Sequence, residues 1–524
     1  MPLSSLRSSS SRRDIIVITT IVCLLTIIIS FRSIFTNNDP RLPNVPEIPK
    51  ADSNIKQPPS TPSQPPVIEE EETSLHITRV TVSTTSTAVA ETTSTSTTAA
   101  AKVTSSPTSA SGPVPEGCAS FPNMTDVLLV MKTGATEAYD KLPIHFLTTL
   151  KCPVDTIFFS DMEMNMGGHH LIDVLEDVSD DLKKNNPDFE LYQLLVKYHD
   201  LREDPRDLKN GGNGWNLDKY KFIHMMLKSY KYNPDAPWYV FIEADTYLVW
   251  ENLRLFLDKL DPTKSYYIGS PTYLDIEFAH GGTGYIISGA AMKLAVGEHL
   301  DLAEKYDNTV HGFCCGDRMI GRVLLDEGIH LSRAWPMLNG EKPFTLPFGE
   351  NHWCQPVITM HHMTAEEVSQ VWNFEQERKA QGITRPLLFV DIYNYFVHHS
   401  IQTMIREDWS NLSWDREYKP PPEDQPDKIL INGQKWSELS DTERVSIENP
   451  ENCRTLCDAT AECYQWQHSD MQCSLGWSVK LGGRKAQEGN QRWTSGWRFS
   501  KIGDLEAKYT NCSSGPDWIE PHFA

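Results

Sequence analysis

The chain runs to 524 residues, with 70 Asp and Glu against 48 Lys and Arg for a net charge of −22, and 39% of its residues are hydrophobic. That length exceeds one typical domain. Strong acidity without a polybasic stripe excludes a nucleic-acid partner and reads as a source of solubility.

The start of the chain is not globular. Residues 15–31, IIVITTIVCLLTIIISF, are uncharged and mostly apolar. At about 1.5 Å per residue they cover most of a bilayer core of about 30 Å. Arg7, Arg12 and Arg13 precede the run, with Asp14 the only acid nearby. Residues 1–14 are therefore expected in the cytosol, 15–35 as a type II signal anchor, and everything beyond in a lumen or outside the cell. The run is longer than a signal-peptide core, and no small-residue cleavage site follows it. Residues 36–117 lack hydrophobic periodicity and are rich in Pro, Ser and Thr, the composition of a disordered, O-glycosylated stem. Of eleven Cys, Cys23 lies in the anchor and the other ten follow residue 117, which predicts disulfides in an oxidising compartment. Sequons at Asn123, Asn411 and Asn511 agree with a secretory route and make these three candidate N-glycosylation sites.

From Cys118 to about residue 405, short apolar runs alternate with helical segments, as in an α/β domain. DVLLVMKTG predicts a strand that ends at Thr133 and Gly134. AYDKLPIHFLTTLK predicts a helix, and VDTIFFSDME a second strand ending at Asp161. A long polar helical region over residues 171–204 is expected next, then the loop NGGNGWN and the helix LDKYKFIHMMLKSY. PWYVFIEADTYLVWENL then carries five apolar residues, Trp238 to Ile242, straight into Glu243 and Asp245. Ligands of open α/β sheets bind beyond the carboxyl ends of the strands, so acids where a buried strand ends face a prospective site. Two carboxylates one residue apart can share a divalent cation, or divide a cation and a ligand hydroxyl between them. A strand end that merely caps the following turn is the plainer alternative.

KSYYIGSP predicts a further strand. In AHGGTGYIISGAAMKLAV, Gly281, Gly282 and Gly284 permit close backbone approach, Tyr285 to Ile287 form a short buried strand, and Ser288 caps a helix. In FCCGDRMIGRVLLDEG, Asp317 opens an amphipathic helix whose apolar residues Met319, Ile320, Val323 and Leu324 recur at helical spacing.

In this order the pieces resemble a glycosyltransferase family, the beta-1,3-glycosyltransferase group that includes the Fringe proteins and core 1 galactosyltransferase, in what looks like a fungal form. The family's ADDDTY resembles Glu243-Ala244-Asp245-Thr246-Tyr247, its GGAGYVLS resembles GGTGYIIS (281–288), and its EDxxxG resembles Gly316-Asp317 through Gly321. A late histidine motif resembles Met360-His361. The resemblance covers about residues 125–365 and implies a GT-A type, Rossmann-like α/β fold. It implies Asp245 and His361 as protein ligands of Mn2+ and Asp317 as the general base. Glu243, Ala244, Thr133, Asp161, Gly281 and Gly282 would lie near the UDP-sugar donor, with Lys219, Lys221 and Trp215 as basic and aromatic neighbours. His362 is the alternative to His361 should the register slip by one.

The implied chemistry is transfer of a hexose, galactose first, from a UDP-sugar to a glycan or glycoprotein hydroxyl, with inversion and in beta-1,3 linkage. A divalent cation would stabilise the diphosphate leaving group, and a positioned carboxylate would take the acceptor proton. The implied location is a Golgi or ER membrane, with the catalytic part lumenal. Two departures stand out: the three-aspartate run is Glu-Ala-Asp here, and the acid before the base is Gly316. They leave open a reading from another class, a membrane-tethered, lectin-like protein without turnover. His169-His170 and His398-His399 are read as surface or packing residues. Cys314 and Cys315 are expected to pair with other lumenal cysteines, Cys354 among them.

After a linker over 406–429, residues 430–524 carry a separate cysteine cluster. The spacing of Cys453, Cys457, Cys463 and Cys473 resembles the helix-and-strand core of a PAN or apple module, which binds protein or carbohydrate. That resemblance implies pairing of Cys453 with Cys473 and of Cys457 with Cys463. Trp466, Trp477, Trp493 and Trp497 suit a sugar-stacking surface or the core of a small domain equally.

Overall fold

The structure, a computed structural model, describes residues 115–520 apart from 210–213, 404, 426–427, 430–432, 490, 510–511 and 513–514. The anchor, nearly all of the stem and Asn511 lie outside the described residues. Among the described residues no helix is long and apolar enough to cross a membrane.

The first three strand predictions become the centre of a mixed α/β sheet. β1 (Val127–Lys132) is buried along its whole length and lies between β2 (Asp155–Ser160) and β5 (Trp238–Glu243), parallel to both. A strand buried on both faces needs a continuous apolar run rather than an alternating one, and VLLVM and WYVFI supply it. β3 (Met164–Met166) and β4 (His169–Asp173) extend one edge; β6 (Tyr267–Gly269), β7 (Tyr285–Ser288) and β8 (Leu331–Arg333) extend the other. The full order is β8-β6-β7-β5-β1-β2-β4-β3. The predicted helix over 171–204 is corrected at its start. Leu171 and Ile172 pair with Phe158 and Phe159 of β2, so the segment is first strand β4, and helix follows at Asp180–Asn185 and Glu190–Leu201 with a 3-10 turn, Pro187–Phe189, between them.

Four helices bear on the site: α1 (Ala138–Leu147), α2 (Lys221–Tyr232), α3 (Trp250–Leu257) and α4 (Gly316–Asp326). In α4 the residues Met319, Ile320, Val323 and Leu324 are buried, as their spacing predicts. Ser288 caps the short helix Gly289–Met292 by accepting from Ala291 N–H at 3.2 Å.

A second hydrophobic core joins the middle of the chain to its end. Trp353, Phe389 and Tyr393 share it with Tyr464, Trp497, Ile502 and Leu505. The Cys354–Cys512 disulfide fastens the same region. Here α5 (Ala365–Ala380) opens with a capping box, Thr364 with Glu367, and leads toward an antiparallel sheet of β9 (Ile405–Glu407), β10 (Arg416–Tyr418), β11 (Gln465–Ser469), β12 (Cys473–Gly476) and β13 (Trp493–Trp497), ordered β9-β13-β11-β12-β10. Helix α6 (Pro450–Ala459) carries Cys453 and Cys457. They pair with Cys473 and Cys463, the connectivity that the module resemblance implies.

Two other cysteine expectations are corrected. Cys314 and Cys315 bond to each other, and Cys354 takes Cys512 instead of either. Cys118 closes on Cys152. The sequon at Asn411 is corrected too. Its side chain is fully buried, with Nδ2 donating to the carbonyls of Trp466 and Gly496 at 3.1 and 3.2 Å, so no nitrogen is left to carry a glycan. Asn123 is exposed and its Oδ1 accepts from Thr125.

Candidate metal and catalytic site

The strand ends explain why the apolar run of β5 stops in acids. Past Ile242 the chain leaves the core, and Glu243 meets Lys132, the last residue of β1, at 2.9 Å. Lys132 also binds Asp218 at 2.5 Å. Lys221, the first residue of α2, joins Asp161 beyond β2 at 2.9 Å and Asp218 at 3.2 Å. Burial alone would pull these ammonium groups below their ordinary value. The carboxylates outweigh it: Asp218 and Glu243 hold Lys132 well above its ordinary value, and Asp161 and Asp218 raise Lys221. Burial likewise opposes the charge on Glu243, but Lys132 and His361 keep its carboxyl well below the usual range.

Asp245 sits one turn further on, in a loop held from several sides. Ala244 N–H donates to the Lys132 carbonyl at 2.9 Å, and Thr246 Oγ1 donates to the Gly282 carbonyl at 2.8 Å. On α1, Lys141 and His145 lie four residues apart on one face. Lys141 Nζ reaches Asp245 Oδ2 at 3.0 Å, and His145 Nε2 reaches the Ala244 carbonyl at 2.8 Å. His145 is fully buried, which pushes it down to about 4 and makes it a neutral donor to that carbonyl.

His361 arrives from more than a hundred residues away through a two-residue antiparallel pairing, Tyr247 with Met360 and Leu248 with Thr359. Its Nε2 lies 3.1 Å from Asp245 Oδ1 and 3.8 Å from Glu243 Oε2. The shorter contact lacks hydrogen-bond geometry: Asp245 Oδ1 is buried with no hydrogen-bond partner, and so is His361 Nδ1. Burial opposes charge on the ring, yet Asp245 and Glu243 lift it to about 9, while the same contacts and Lys141 bring Asp245 to about 2 against its own burial. One ligand atom each from Asp245, His361 and His362 lies within 4.8 Å of the other two.

The glycine pair explains how these groups meet Asp317. A Cβ on Gly282 would stand 2.1 Å from His361 Cε1, so only glycine leaves room for the ring. On the other side Asp317 Oδ2 accepts from Gly281 N–H at 2.9 Å, and Oδ1 accepts from Arg318 N–H at 2.8 Å. Burial raises the Asp317 carboxyl although these N–H groups pull it down. Asp317 and His361 thus flank one tight turn. His280, just before it, has its ring 5.9 Å from that of His361 and a buried Nδ1 without a partner.

The remaining candidates divide. Thr133 is buried and its carbonyl accepts from Lys221 Nζ at 3.1 Å; Asp161 also accepts from Ala135 N–H at 2.7 Å. Both belong to the strand-end network, as do Glu243, Ala244 and Lys221. Lys219 does not: it pairs with Asp188 at 2.9 Å. Trp215 is 69% exposed and donates to the Cys314 carbonyl at 3.1 Å, beside the start of α4. Of the paired histidines elsewhere, His169 stacks on Phe146 and the exposed His170 binds Glu163, both in β4 rather than a helix, and His398 lies 3.7 Å from Glu506.

Sequence reasoning missed Lys132, Lys141, His145, Asp218 and His280. A signal existed for Lys132, which ends a buried apolar strand as Glu243 does. No protein-family model matches the chain.

Proposed function

We propose that the protein is a manganese-dependent, inverting glycosyltransferase that moves a hexose, galactose being the first candidate, from a UDP-sugar to a glycan or glycoprotein hydroxyl in beta-1,3 linkage. The observation that carries this reading is the meeting of Asp245 and His361, 3.1 Å apart, with Asp317 across the Gly281–Gly282 turn. Two donors at about 2.1 Å from one cation and at right angles stand about 3 Å apart, so the pair fits a divalent ion. Carboxylate with imidazole suits Mn2+, which when bound stabilises the charge leaving on a diphosphate.

The chain's own residues would do the rest. Lys141 holds Asp245 Oδ2, which leaves Oδ1 to the cation. Lys132 and Lys221, each paired with two carboxylates, hold Glu243, Asp218 and Asp161 in place at the strand ends. Asp317 takes the proton of the acceptor hydroxyl as its oxygen attacks the sugar's C1, a contribution of about 10² to 10⁴ in rate. Inversion by direct displacement needs no enzyme nucleophile. The resemblance to the Fringe and core 1 galactosyltransferase group, with its GT-A type fold, belongs to this proposal. So do a PAN or apple-like role for the C-terminal sheet in recruiting the acceptor and a type II setting in the Golgi or ER membrane. Disulfide-bonded cysteines support the oxidising compartment.

The test is UDP release from UDP-galactose, UDP-N-acetylglucosamine and UDP-glucose by the purified full-length chain, with and without Mn2+. Metal-dependent release lost in Asp245→Asn is expected. Sugar binding with no turnover for any donor would instead favour the tethered lectin.

A further inference from the structure

Neighbouring residues on an extended chain send their side chains to opposite faces. Continuing the pairing of Tyr247 with Met360 sets His361 against Thr246 and His362 against Asp245, so one of the two imidazoles ought to point away. It does not. His362 has φ +58, the left-handed region that disfavours any residue with a Cβ, and its ring centroid lies 3.9 Å from that of His361. The turn is held on both sides: His361 N–H donates to the Glu341 carbonyl at 3.3 Å and Met363 N–H to the Asp245 carbonyl at 2.9 Å. The outcome is that both rings attend the same carboxylate. One ligand atom from each of the three residues falls within 4.8 Å of the others. His361 is only 4% exposed, and its Nδ1 has no partner. His362 is exposed.

We propose that His362 is a third protein ligand of the cation held by Asp245 and His361, so that the site is a face of two histidines and one carboxylate. This rests on the reading of Asp245 and His361 as a cation site, and not on which sugar is moved. The chemistry follows from the donor set. Two neutral nitrogens favour first-row ions such as Mn2+, Fe2+, Co2+ or Zn2+ over Mg2+ and Ca2+, which prefer an all-oxygen shell. Three protein ligands also leave positions open for diphosphate oxygens and water. The left-handed backbone at His362 is then the device that brings a second imidazole to the same side.

The experiment is Mn2+ binding by the full-length chain, read by electron paramagnetic resonance of the free ion, with Mg2+ as competitor. His362→Asn and His362→Gly both tolerate the left-handed turn, so neither has to refold the loop. Each is expected to weaken Mn2+ by about tenfold or more while Mg2+ affinity changes far less, with the melting temperature in EDTA unchanged. Electron spin-echo spectra of bound Mn2+ should show coupling to two imidazole nitrogens in the native chain and to one in either variant. Coupling to a single nitrogen in the native chain, or unaltered Mn2+ affinity in both variants while Asp245→Asn abolishes binding, overturns the role of His362 and leaves the two-ligand site standing. Absence of Mn2+ binding by the native chain overturns both.

Discussion

The carboxyl end of the large sheet and the polar cluster around Asn411 in the C-terminal sheet both bury polar side chains, but they satisfy them to different degrees. In the C-terminal sheet, Asn411 donates to two carbonyls and accepts from Ser413, Gln465 binds the Asn411 carbonyl and Lys480 N–H, and Ser495 links Asn411 N–H to the Trp409 carbonyl. At the strand ends, Asp245 Oδ1, His361 Nδ1 and His280 Nδ1 are buried without hydrogen-bond partners. An unsatisfied buried polar atom costs about 1–3 kcal/mol, so three of them near one another carry a cost that a bound ligand would relieve. The first arrangement serves the structure; the second is the one the proposed cation site would use.

Substitutions should separate the two regions cleanly. The largest effect is expected from Asp245→Asn. Metal-dependent UDP release should fall by about 10³-fold, a loss of about 4 kcal/mol in the transition state, while urea unfolding shifts comparatively little. Asn411→Leu should do the reverse. It strands the Trp466 and Gly496 carbonyls in the interior and should lower unfolding free energy by about 2–4 kcal/mol, with the kinetic constants of the folded fraction unchanged. A substitution in either region that moved both readouts equally would undo the distinction. Gly282→Ala tests the boundary, because its methyl group would collide with His361 Cε1. Overpacking of this kind costs about 1–3 kcal/mol, and the ring is what has to yield, so Mn2+ affinity measured by calorimetry should drop more than the melting temperature does.

How much of this was legible beforehand follows from the range of the interactions. The buried run ending in Glu243 and Asp245, the glycine turn and the cap at Ser288 are local, and each carries its own pattern in a few residues. Asp317 is local in one sense only: its place at a helix start can be read, but its bond to Gly281 N–H joins residues on separate elements. Lys141 and His145 were invisible as site residues because nothing in their neighbourhood marks them, and Lys132 was marked only by its place at the end of a buried strand. Their roles arise when α1 and β1 are packed against β5. The Cys314–Cys315 bond and the burial of Asn411 escaped for a related reason. A cysteine count does not give partners, and a sequon does not say which way its asparagine points.

The smallest expected effect qualifies the contrast between the regions. Glu375, on α5, accepts a hydrogen bond from Tyr247, so by the partner criterion it is satisfied. Its charge is not. Burial and the nearby Glu251 carboxylate push its carboxyl up to about 8 from an ordinary value of 4.5, and Lys379 and Arg378 offset only part of this. The folded chain therefore binds this proton more tightly than the unfolded chain does. Between about pH 4.5 and 8 the unfolded state releases it while the folded state keeps it, so the protonated carboxyl's contribution is complete below that window, shrinks as pH rises through it, and is gone above it. Unfolding free energy of the native chain relative to Glu375→Gln should fall by about 1–2 kcal/mol from pH 5 to pH 8.5, after allowing for solvent screening. A constant difference across that range would mean that the Tyr247 hydroxyl stabilises the ionised form, and that hydrogen-bond partners alone are enough to tell the two kinds of buried polar group apart.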